Sequence, residues 1–362
     1  MPSAPSTSFK ARNRQQAERI PLNQDVRFGA QSAGHPKISL RLSLALLAFF
    51  LLIFSWPAFP AEEGHYKILE VKPHVFVWLA EDILEQEGDP NFSRASNAGF
   101  VITPEGVVVI NTTNTPFNAR DLLYEIRQRT SLPVRFVINT SSLPDAMLGN
   151  EAFADFRPAI LSTPAAAIQM NRYQSELAGR IESDWRLAEN MRGIHPTPPD
   201  QTFDREMTLP IASPQIKLIN LGDNISPGDA AVYLPQSKVL FLGDLFENQY
   251  IPQMASGNIR RWISELRKVE SWDVDVFVPG HGEPGGRQQV EQFRHFLVWL
   301  LGQVQSGIGQ HKTEQQIETA MVPFQNYHWR APELQSKLVA AVYQQLAGDN
   351  KEASASPKSP NP

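Results

Sequence analysis

The sequence of 362 residues contains no cysteine. This absence excludes disulfide frameworks, thiolate zinc sites, iron–sulfur clusters and cysteine nucleophiles. The chain also lacks an excess of basic residues, since 33 Lys and Arg stand against 38 Asp and Glu. Residues 1–61 hold seven of the basic residues and two of the acidic ones, so the rest of the chain carries a net charge of −10. An acidic body of this kind repels nucleic-acid phosphates, and we expect no nucleic-acid binding.

The composition is otherwise that of a globular protein. Hydrophobic residues make up 42% of the chain and charged residues 20%, which excludes a wholly disordered chain or a collagen-like repeat. The length accommodates one large domain with extensions. We predict that residues 1–36 are disordered, and that the polar, Pro- and Ser-rich segment 349–362 is a disordered tail.

The N-terminal region contains an unbroken apolar run of 11 residues, Leu44–Phe54, preceded by basic residues. A membrane-spanning helix needs about 20 apolar residues, whereas a signal-peptide core has about 7–15. The run therefore predicts an export signal in residues 37–61, with cleavage near Ala61. A retained signal anchor, with membrane contact through residues 42–59, is the alternative. In both cases we expect an exported protein, periplasmic or anchored on the outer side of the cytoplasmic membrane.

Short β-branched runs, separated by Gly, Pro and Asn turns and followed by helical patterns, begin at His74. The predicted strands are His74–Leu79, Gly99–Thr103, Val107–Asn111, Val134–Asn139, Pro158–Ser162, Gln215–Asn220, Ala230–Leu234, Lys238–Leu242 and Val274–Val278. The predicted helices are Pro116–Arg129, Asp145–Phe153, Pro164–Met191, Ile259–Glu270, Gln288–Val304, Glu314–Ala320 and Pro332–Leu346. This order predicts an α/β fold in which two packed sheets are flanked by helices. We expect the main domain in residues 62–310 and a C-terminal helical extension in residues 311–348.

Four short segments at predicted strand ends carry the functional information, because folds of this class place their chemistry on loops. They are Val137–Asn150, Asp223–Pro235, Lys238–Phe246 and Val278–Glu283. In this order and spacing they make the chain resemble the metallo-β-lactamase superfamily, from about residue 70 to residue 300. The resemblance implies an αββα sandwich of two mixed β-sheets flanked by helices, with the helical extension at the C-terminus. Within it, the stretches 132–140 and 149–153 look most similar to periplasmic members linked to quinoprotein systems.

The resemblance implies a chemistry that uses two zinc ions, held by His and Asp at strand ends, with an activated water between them. The family's His-x-His-x-Asp-His motif falls on residues 141–146 (SSLPDA), where only Asp145 is retained. The histidine of the third motif falls on Ile225. The bridging aspartate is present as Asp244, and the last histidine is present as His281.

The missing ligands fall mainly on one of the two metal positions that the resemblance implies. The first position takes three histidines and the bridging aspartate, of which only Asp244 survives. The second position retains Asp145, Asp244 and His281 as a residual half-site, whereas Leu143 and Ile225 cannot coordinate a metal. We therefore expect no dinuclear zinc site and no cofactor, with one divalent metal ion at the half-site as the alternative.

Each surviving residue also has a purely structural interpretation. Asp145 follows Pro144 at a predicted helix start, where a carboxylate can accept hydrogen bonds from free N–H groups. Asp244 follows a glycine and can form turn hydrogen bonds. His281 lies in a Pro-Gly-His-Gly turn and can be hydrogen-bonded within its loop. The aspartate that usually ends the early strand is also replaced, by Asn111.

Two hypotheses about function follow from these residues. The first is a catalytically silent binding or scaffold protein that keeps the architecture without the zinc chemistry, with an unidentified small molecule or protein as its partner. The second is an atypical mononuclear metal-dependent hydrolase that uses Asp145, Asp244 and His281. The lost histidines favour the first hypothesis, because a dinuclear centre activates its water through both metal ions.

Overall fold

The computed structural model describes residues 66–80, 95–183, 197–254, 256–321 and 329–355. The predicted disordered segment 1–36, the predicted export signal and residues 356–362 of the predicted tail lie outside these ranges. In the part of the chain that is described, no helix combines the length and apolar character that a membrane crossing needs.

The strands and helices alternate along the chain as the sequence predicts. The strands are β1 (Tyr66–Lys72), β2 (Val75–Ala80), β3 (Ala98–Thr103), β4 (Gly106–Ile110), β5 (Val134–Ile138), β6 (Ala159–Ser162), β7 (Gln201–Thr202), β8 (Glu206–Thr208), β9 (Lys217–Gly222), β10 (Asp229–Leu234), β11 (Val239–Glu247) and β12 (Val276–His281). The α-helices are α1 (Pro116–Arg129), α2 (Pro144–Met147), α3 (Pro164–Ser183), α4 (Ile259–Val269), α5 (Arg287–Gly309), α6 (Glu314–Ala320) and α7 (Gln335–Ala355). Two 3₁₀ helices span Leu148–Phe156 and Pro332–Leu334.

The strands form two mixed sheets. The larger sheet has the order β1-β2-β3-β4-β5-β6-β7, antiparallel from β1 to β4 and parallel from β4 to β7. The smaller sheet has the order β12-β11-β10-β9-β8, in which β11 and β12 are parallel and the other pairs are antiparallel. The predicted fold class is therefore confirmed.

Successive residues of a strand face opposite sides of its sheet, so the apolar side chains form three cores, one between the sheets and one beneath the helices on each outer face. In β4, Val108 packs into the core between the sheets, and Val109 packs into the cluster beneath α1. In β11, Phe241 packs into the same inter-sheet core, whereas Leu240 and Leu242 face the layer of α4, α5 and α7. Strands that are apolar on both faces thus require a helix layer on each side, which gives four layers.

Two helices begin with the caps that their sequences suggest. The side chain of Thr115 accepts a hydrogen bond from the N–H of Asn118 at the start of α1, and Pro116 occupies the first turn. The side chain of Asn258 accepts from the N–H of Arg261 at the start of α4. These caps fix the points at which the chain leaves the sheet edges that carry the four motifs.

The structure differs from the sequence prediction in several elements. Strands β1, β7 and β8 were not predicted, and β11 extends to Glu247 instead of ending at Leu242 because it continues to pair with β12. The predicted helix Asp145–Phe153 is a short α-helix followed by a 3₁₀ helix. Gly149 explains this break, since it lies so close to the carbonyl of Thr112 that any Cβ would collide with it.

The C-terminal helix α7 extends to Ala355, seven residues into the segment predicted to be a disordered tail from Asp349. Its stretch after residue 348 contains Ala, Glu and Lys, which are good helix formers, and its preceding turns are anchored by buried Leu338 and Val342. The boundary between extension and tail was therefore placed too early.

A buried tryptophan connects the helix layer to β11. The indole N–H of Trp262, which is fully buried, donates to the carbonyl of Leu245 at 2.7 Å, and its ring meets Phe293 edge-on. We predict that Trp262→Phe lowers the free energy of unfolding by about 1–3 kcal/mol, because it leaves that carbonyl unpaired and opens a small cavity. Chemical unfolding measures the change, with Trp272→Phe at a half-buried position as the control. An equal loss in both variants would contradict the assigned role of the hydrogen bond.

Candidate metal centre

Three side chains from separate loops and strands converge at one edge of the sandwich. Asp145 lies in the first turn of α2, Asp244 lies within β11, and His281 ends β12. Each of them places one potential ligand atom within 4.8 Å of those of the other two. The fold therefore brings together the residual half-site that the resemblance implies, and whether a metal binds there stays a prediction.

Asp145 and His281 face each other directly. The Nε2 atom of His281 lies 3.3 Å from Oδ2 of Asp145, and the imidazole ring packs at a tilt against Tyr250, with 5.6 Å between the ring centroids. The Oδ1 atom of Asp145 is buried and has no hydrogen-bond partner. No side chain makes a capping hydrogen bond at the start of α2, but Asp145 lies in its first turn, so the structural interpretation of this residue stays a prediction beside the metal one.

Asp244 is buried at the centre of the group. The hydroxyl of Ser141 donates to its Oδ2 at 2.7 Å, and the hydroxyl of Ser96 donates to its Oδ1 at 3.2 Å. The carboxylate of Asp244 therefore accepts hydrogen bonds from two distant segments of the chain. The turn hydrogen bonds that its structural interpretation predicted are not what is observed. Gly280 permits the close approach of β12, since a Cβ there would collide with this carboxylate.

The pKa of Asp244 rises to about 7, chiefly because burial disfavours the charged form and secondly because the charge of Asp145 repels it. His281 and the hydrogen bond from Ser141 act in the opposite direction. A carboxylic acid that titrates near neutral pH is typical of a site whose charges lack full compensation.

Glu247 is a further buried carboxylate at this edge, three residues after Asp244 in β11. Its Oε2 atom has no hydrogen-bond partner. Burial raises the pKa of Glu247 well above its ordinary value, and the charges of Asp244 and Asp145 raise it further, while the backbone N–H of His281 lowers it through a hydrogen bond. The predicted motif ends at Phe246 and does not include this residue, although an acidic residue at the end of an apolar strand is a signal that could have indicated it.

The positions of the family's missing histidines are filled by non-coordinating groups. Leu143 and Ile225 are buried members of the hydrophobic cluster beneath the helix layer, and Ala146 is fully buried. Ser141 uses its hydroxyl to bond Asp244. Asn111, which replaces the early aspartate, accepts hydrogen bonds from the N–H and hydroxyl of Thr140.

The turn after β9 is the place where the resemblance implies a histidine ligand, at Ile225. The structure shows that Asp229 stabilises this turn. The carboxylate of Asp229 accepts the backbone N–H groups of Asn224, Ile225 and Ser226 at 2.8–3.3 Å and the hydroxyl of Ser226. Burial raises its pKa to about 6, and these hydrogen bonds counteract the rise. These hydrogen bonds hold the backbone of the turn around the carboxylate of Asp229.

The donor atoms of this cluster fit one cation. Asp145, Asp244 and His281 supply two carboxylates and one imidazole, and the unpaired Oδ1 of Asp145 is the kind of atom that a bound cation would satisfy. The arrangement is therefore compatible with one divalent ion.

The raised pKa of Asp244 makes stability depend on pH. The unfolded chain releases this proton near pH 4, as is usual for Asp, and the folded chain releases it near pH 7, so the contribution to stability is fully present below about pH 4 and is lost as the pH rises through about 7. Since Asn does not titrate, we predict that Asp244→Asn gains about 2 kcal/mol relative to the parent chain between pH 5 and pH 8.

Chemical unfolding at both pH values, with a chelator present to exclude bound cations, measures this gain. The matching substitution at an exposed position, Asp155→Asn, serves as the control. A difference between Asp244→Asn and the parent chain that is the same at both pH values would contradict the assignment of the titration to Asp244.

Comparisons with known proteins agree with this architecture. The family described as "Metallo-beta-lactamase superfamily" matches residues 93–281, just over half of the chain. A linear primary-alkylsulfatase from Pseudomonas sp. (strain ATCC 19151) is 23% identical over 52% of this chain and 42% of its own length. The alpha subunit of a 2,4-dinitroanisole O-demethylase from Nocardioides sp. (strain JS1661) is 25% identical over 54% of each chain. The chain thus spans about half the length of these curated relatives.

Solved structures show the same fold. A stereoselective inverting sec-alkylsulfatase from Pseudomonas sp. superimposes with a TM-score of 0.59 and 18% identity, over 82% of this chain and 52% of its own. A metallo-β-lactamase from Pontibacter korlensis superimposes with a TM-score of 0.50 and 22% identity, over 64% of this chain and 98% of its own. With the family match, the two mixed sheets and the converging strand-end residues all in agreement, this chain belongs to the metallo-β-lactamase superfamily.

Proposed function

We propose that this chain is an exported member of the superfamily that has lost dinuclear zinc catalysis and acts as a binding or scaffold protein. The observation that carries the proposal is the replacement of two of the three histidines of the first metal position by Leu143 and Ile225. Both side chains are buried, and neither offers an atom that can coordinate zinc. Without two metal ions the activated water of the family reaction loses its source of acidity and charge stabilisation.

The hydrogen bonds of Asp244 support the same proposal. In a dinuclear centre this residue bridges the metals, whereas here both of its oxygens accept hydroxyl groups, from Ser141 and Ser96. These donors partly compensate the burial of the carboxylate. Internal hydrogen bonds can thus hold Asp244 in place without metal–ligand bonds, which supports an architecture kept without the chemistry.

A mononuclear metal-dependent hydrolase is the second candidate. The buried, unpaired Oδ1 of Asp145 favours it, as does the similarity of the chain to an alkylsulfatase and an O-demethylase subunit. A small molecule or a protein is the partner that the first candidate requires.

An activity panel distinguishes the two candidates. We expect the purified chain, with Zn²⁺ or Mn²⁺ added, to hydrolyse a chromogenic cephalosporin, a thioester and an alkyl sulfate ester no faster than buffer does. A metal-dependent turnover of roughly 1–10³ per second, the range of ordinary enzymes, would overturn the proposal that the protein is catalytically silent. The double variant Asp145→Ala/His281→Ala is the control, because any activity that persists in it belongs to a contaminant.

The proposal that the protein is exported depends on the apolar run 44–54, and a separate experiment tests it. We expect residues 1–61 to direct a signal-less alkaline phosphatase across the membrane of a bacterial host, giving phosphatase activity. The same fusion with Leu47→Arg and Phe50→Arg is the control, since two charges in the apolar core block its insertion. The mass of the exported full chain then distinguishes cleavage near Ala61 from a retained anchor, and an inactive parent fusion would refute export.

A further inference from the structure

Helix α1 carries large side chains on its outer face as well as on its buried one. The inner face packs Ala119, Leu122 and Ile126 into the cluster between α1 and the larger sheet. On the outer face, the exposed fractions of Phe117 and Tyr124 are 56% and 59%. The solvent-facing side of a surface helix is ordinarily polar, so packing within the described part of the chain does not account for these two aromatic residues.

A third aromatic residue and two arginines extend this outer face. Phe156, at the end of the 3₁₀ helix that packs beside α1, is 41% exposed. The guanidinium of Arg127 lies 5.0 Å from the ring centroid of Phe156, and that of Arg120 lies 5.4 Å from the ring centroid of Phe117. Together with Tyr124, the residues of α1 recur at intervals of three or four, so they share one side of the helix and extend over about 15 Å. We call the whole set the aromatic–arginine face: Phe117, Arg120, Tyr124, Arg127 and Phe156.

The composition of this face is that of a surface which contacts a lipid bilayer. Five large apolar or aromatic side chains are exposed among the described residues, and the three aromatic ones all lie here, apart from Ile168 and Val298 on other helices. A contiguous exposed patch of this kind marks an interaction site. Aromatic rings favour the boundary between lipid headgroups and acyl chains, and arginines extend from there toward the headgroup phosphates.

The chain enters the domain at the same helix. Tyr66, the first described residue, donates its hydroxyl hydrogen to Oε1 of Glu125, the neighbour of Tyr124 in α1. The apolar run that predicts the export signal or anchor ends at Phe54, and eleven residues, 55–65, separate it from Tyr66. Eleven residues span at most about 40 Å when fully extended. A retained anchor would therefore keep the flank of α1 within that distance of the bilayer.

We propose that the aromatic–arginine face docks onto the surface of a lipid bilayer that contains anionic lipids. Its three rings enter the interface, and its two arginines pair with headgroup phosphates. Helix α5, which covers the other sheet, remains in solution. The inference goes beyond the proposed function and depends on the proposed export only for the side of the membrane that the face meets. Docking to vesicles is therefore measured independently of export and of catalysis.

Site-specific labelling of the full chain tests the docking, because the chain contains no cysteine and a single introduced one carries the label. Gln128 is exposed on α1, one turn after Tyr124, and Gln128→Cys leaves every residue of the face in place. Val298→Cys, at an exposed position of α5, is the matched control. Each variant carries the environment-sensitive fluorophore NBD. It is reconstituted into vesicles of phosphatidylethanolamine and phosphatidylglycerol, with and without a doxyl-labelled lipid as quencher.

The emission of the label is the measurement, because the apolar run 44–54 can hold every variant on the vesicles. We expect vesicles to shift the emission of the label at position 128 to shorter wavelength and the doxyl lipid to quench it, whereas the label at position 298 keeps its aqueous emission. Adding Phe117→Ser and Tyr124→Ser should shift the equilibrium about tenfold or more toward the undocked state, since both rings lose their burial in the interface. Replacing phosphatidylglycerol by phosphatidylcholine should weaken docking, and should weaken it less in the Arg120→Gln variant.

Four outcomes would contradict the proposal. In the first, the label at position 128 keeps its aqueous emission on vesicles. In the second, the labels at positions 128 and 298 are quenched equally, which indicates adsorption without a preferred face. In the third, Phe117→Ser with Tyr124→Ser leaves the response unchanged. In the fourth, the emission at position 128 shifts with protein concentration in the absence of lipid and vesicles add nothing, which identifies a second copy of the chain as the occupant. Circular dichroism confirms that each variant is folded.

Discussion

The packing of the two sheets against each other is the constraint on which the candidate site depends. Asp145 follows a strand of the larger sheet, whereas Asp244 and His281 belong to the smaller one. They meet because apolar side chains of both sheets, such as Val108 and Phe241, share one core. Hydrogen bonds from Ser96 and Ser141 to Asp244 then connect the sheets at the edge where the strands end. Burial of apolar surface thus forces charged groups together.

As a consequence, the buried carboxylates at this edge are not all compensated by hydrogen-bond donors or by opposite charges. Carboxylates resist burial unless a cation, a proton or hydrogen-bond donors compensate them. At Asp229 the chain supplies backbone N–H groups and a hydroxyl. At Asp145 and Glu247 the described residues leave one oxygen each without a donor. The carboxylate of Asp229 has a donor at each oxygen, whereas the carboxylates of Asp145 and Glu247 each keep one oxygen without a donor, and this contrast distinguishes a structural acidic residue from less compensated ones.

Membership of the superfamily defines the scaffold more than the activity. Its similar proteins include an alkylsulfatase, an O-demethylase subunit and a metallo-β-lactamase, and function resides in the groups attached to the strand ends. In this chain the strand ends bring Asp145, Asp244 and His281 together, whereas Leu143 and Ile225 pack into the hydrophobic cluster beneath the helix layer.

The sequence by itself determined the fold class and the order of most elements, and the resemblance it carries indicated three residues that the fold brings together. Apolar residues that alternate along a strand, and motifs in a fixed order, are local signals. Thr115 and Pro116 are a local signal of the same kind, because two neighbouring residues mark the start of α1. The same local signals also showed which histidines are absent. The predicted helix after β5 failed at Gly149 because its conformation depends on contact with Thr112, which lies on another loop.

Only the tertiary structure decided which groups each acidic residue contacts. Asp145 resembles a helix-start residue in sequence, but its carboxylate also faces His281, 136 positions away. Ser96 carries no motif, and it reaches Asp244 through a hydrogen bond that spans 148 positions. Long-range register and burial set these relations, and neither is encoded in the spacing of neighbouring residues, since one shift in pairing changes which side chains face the cluster.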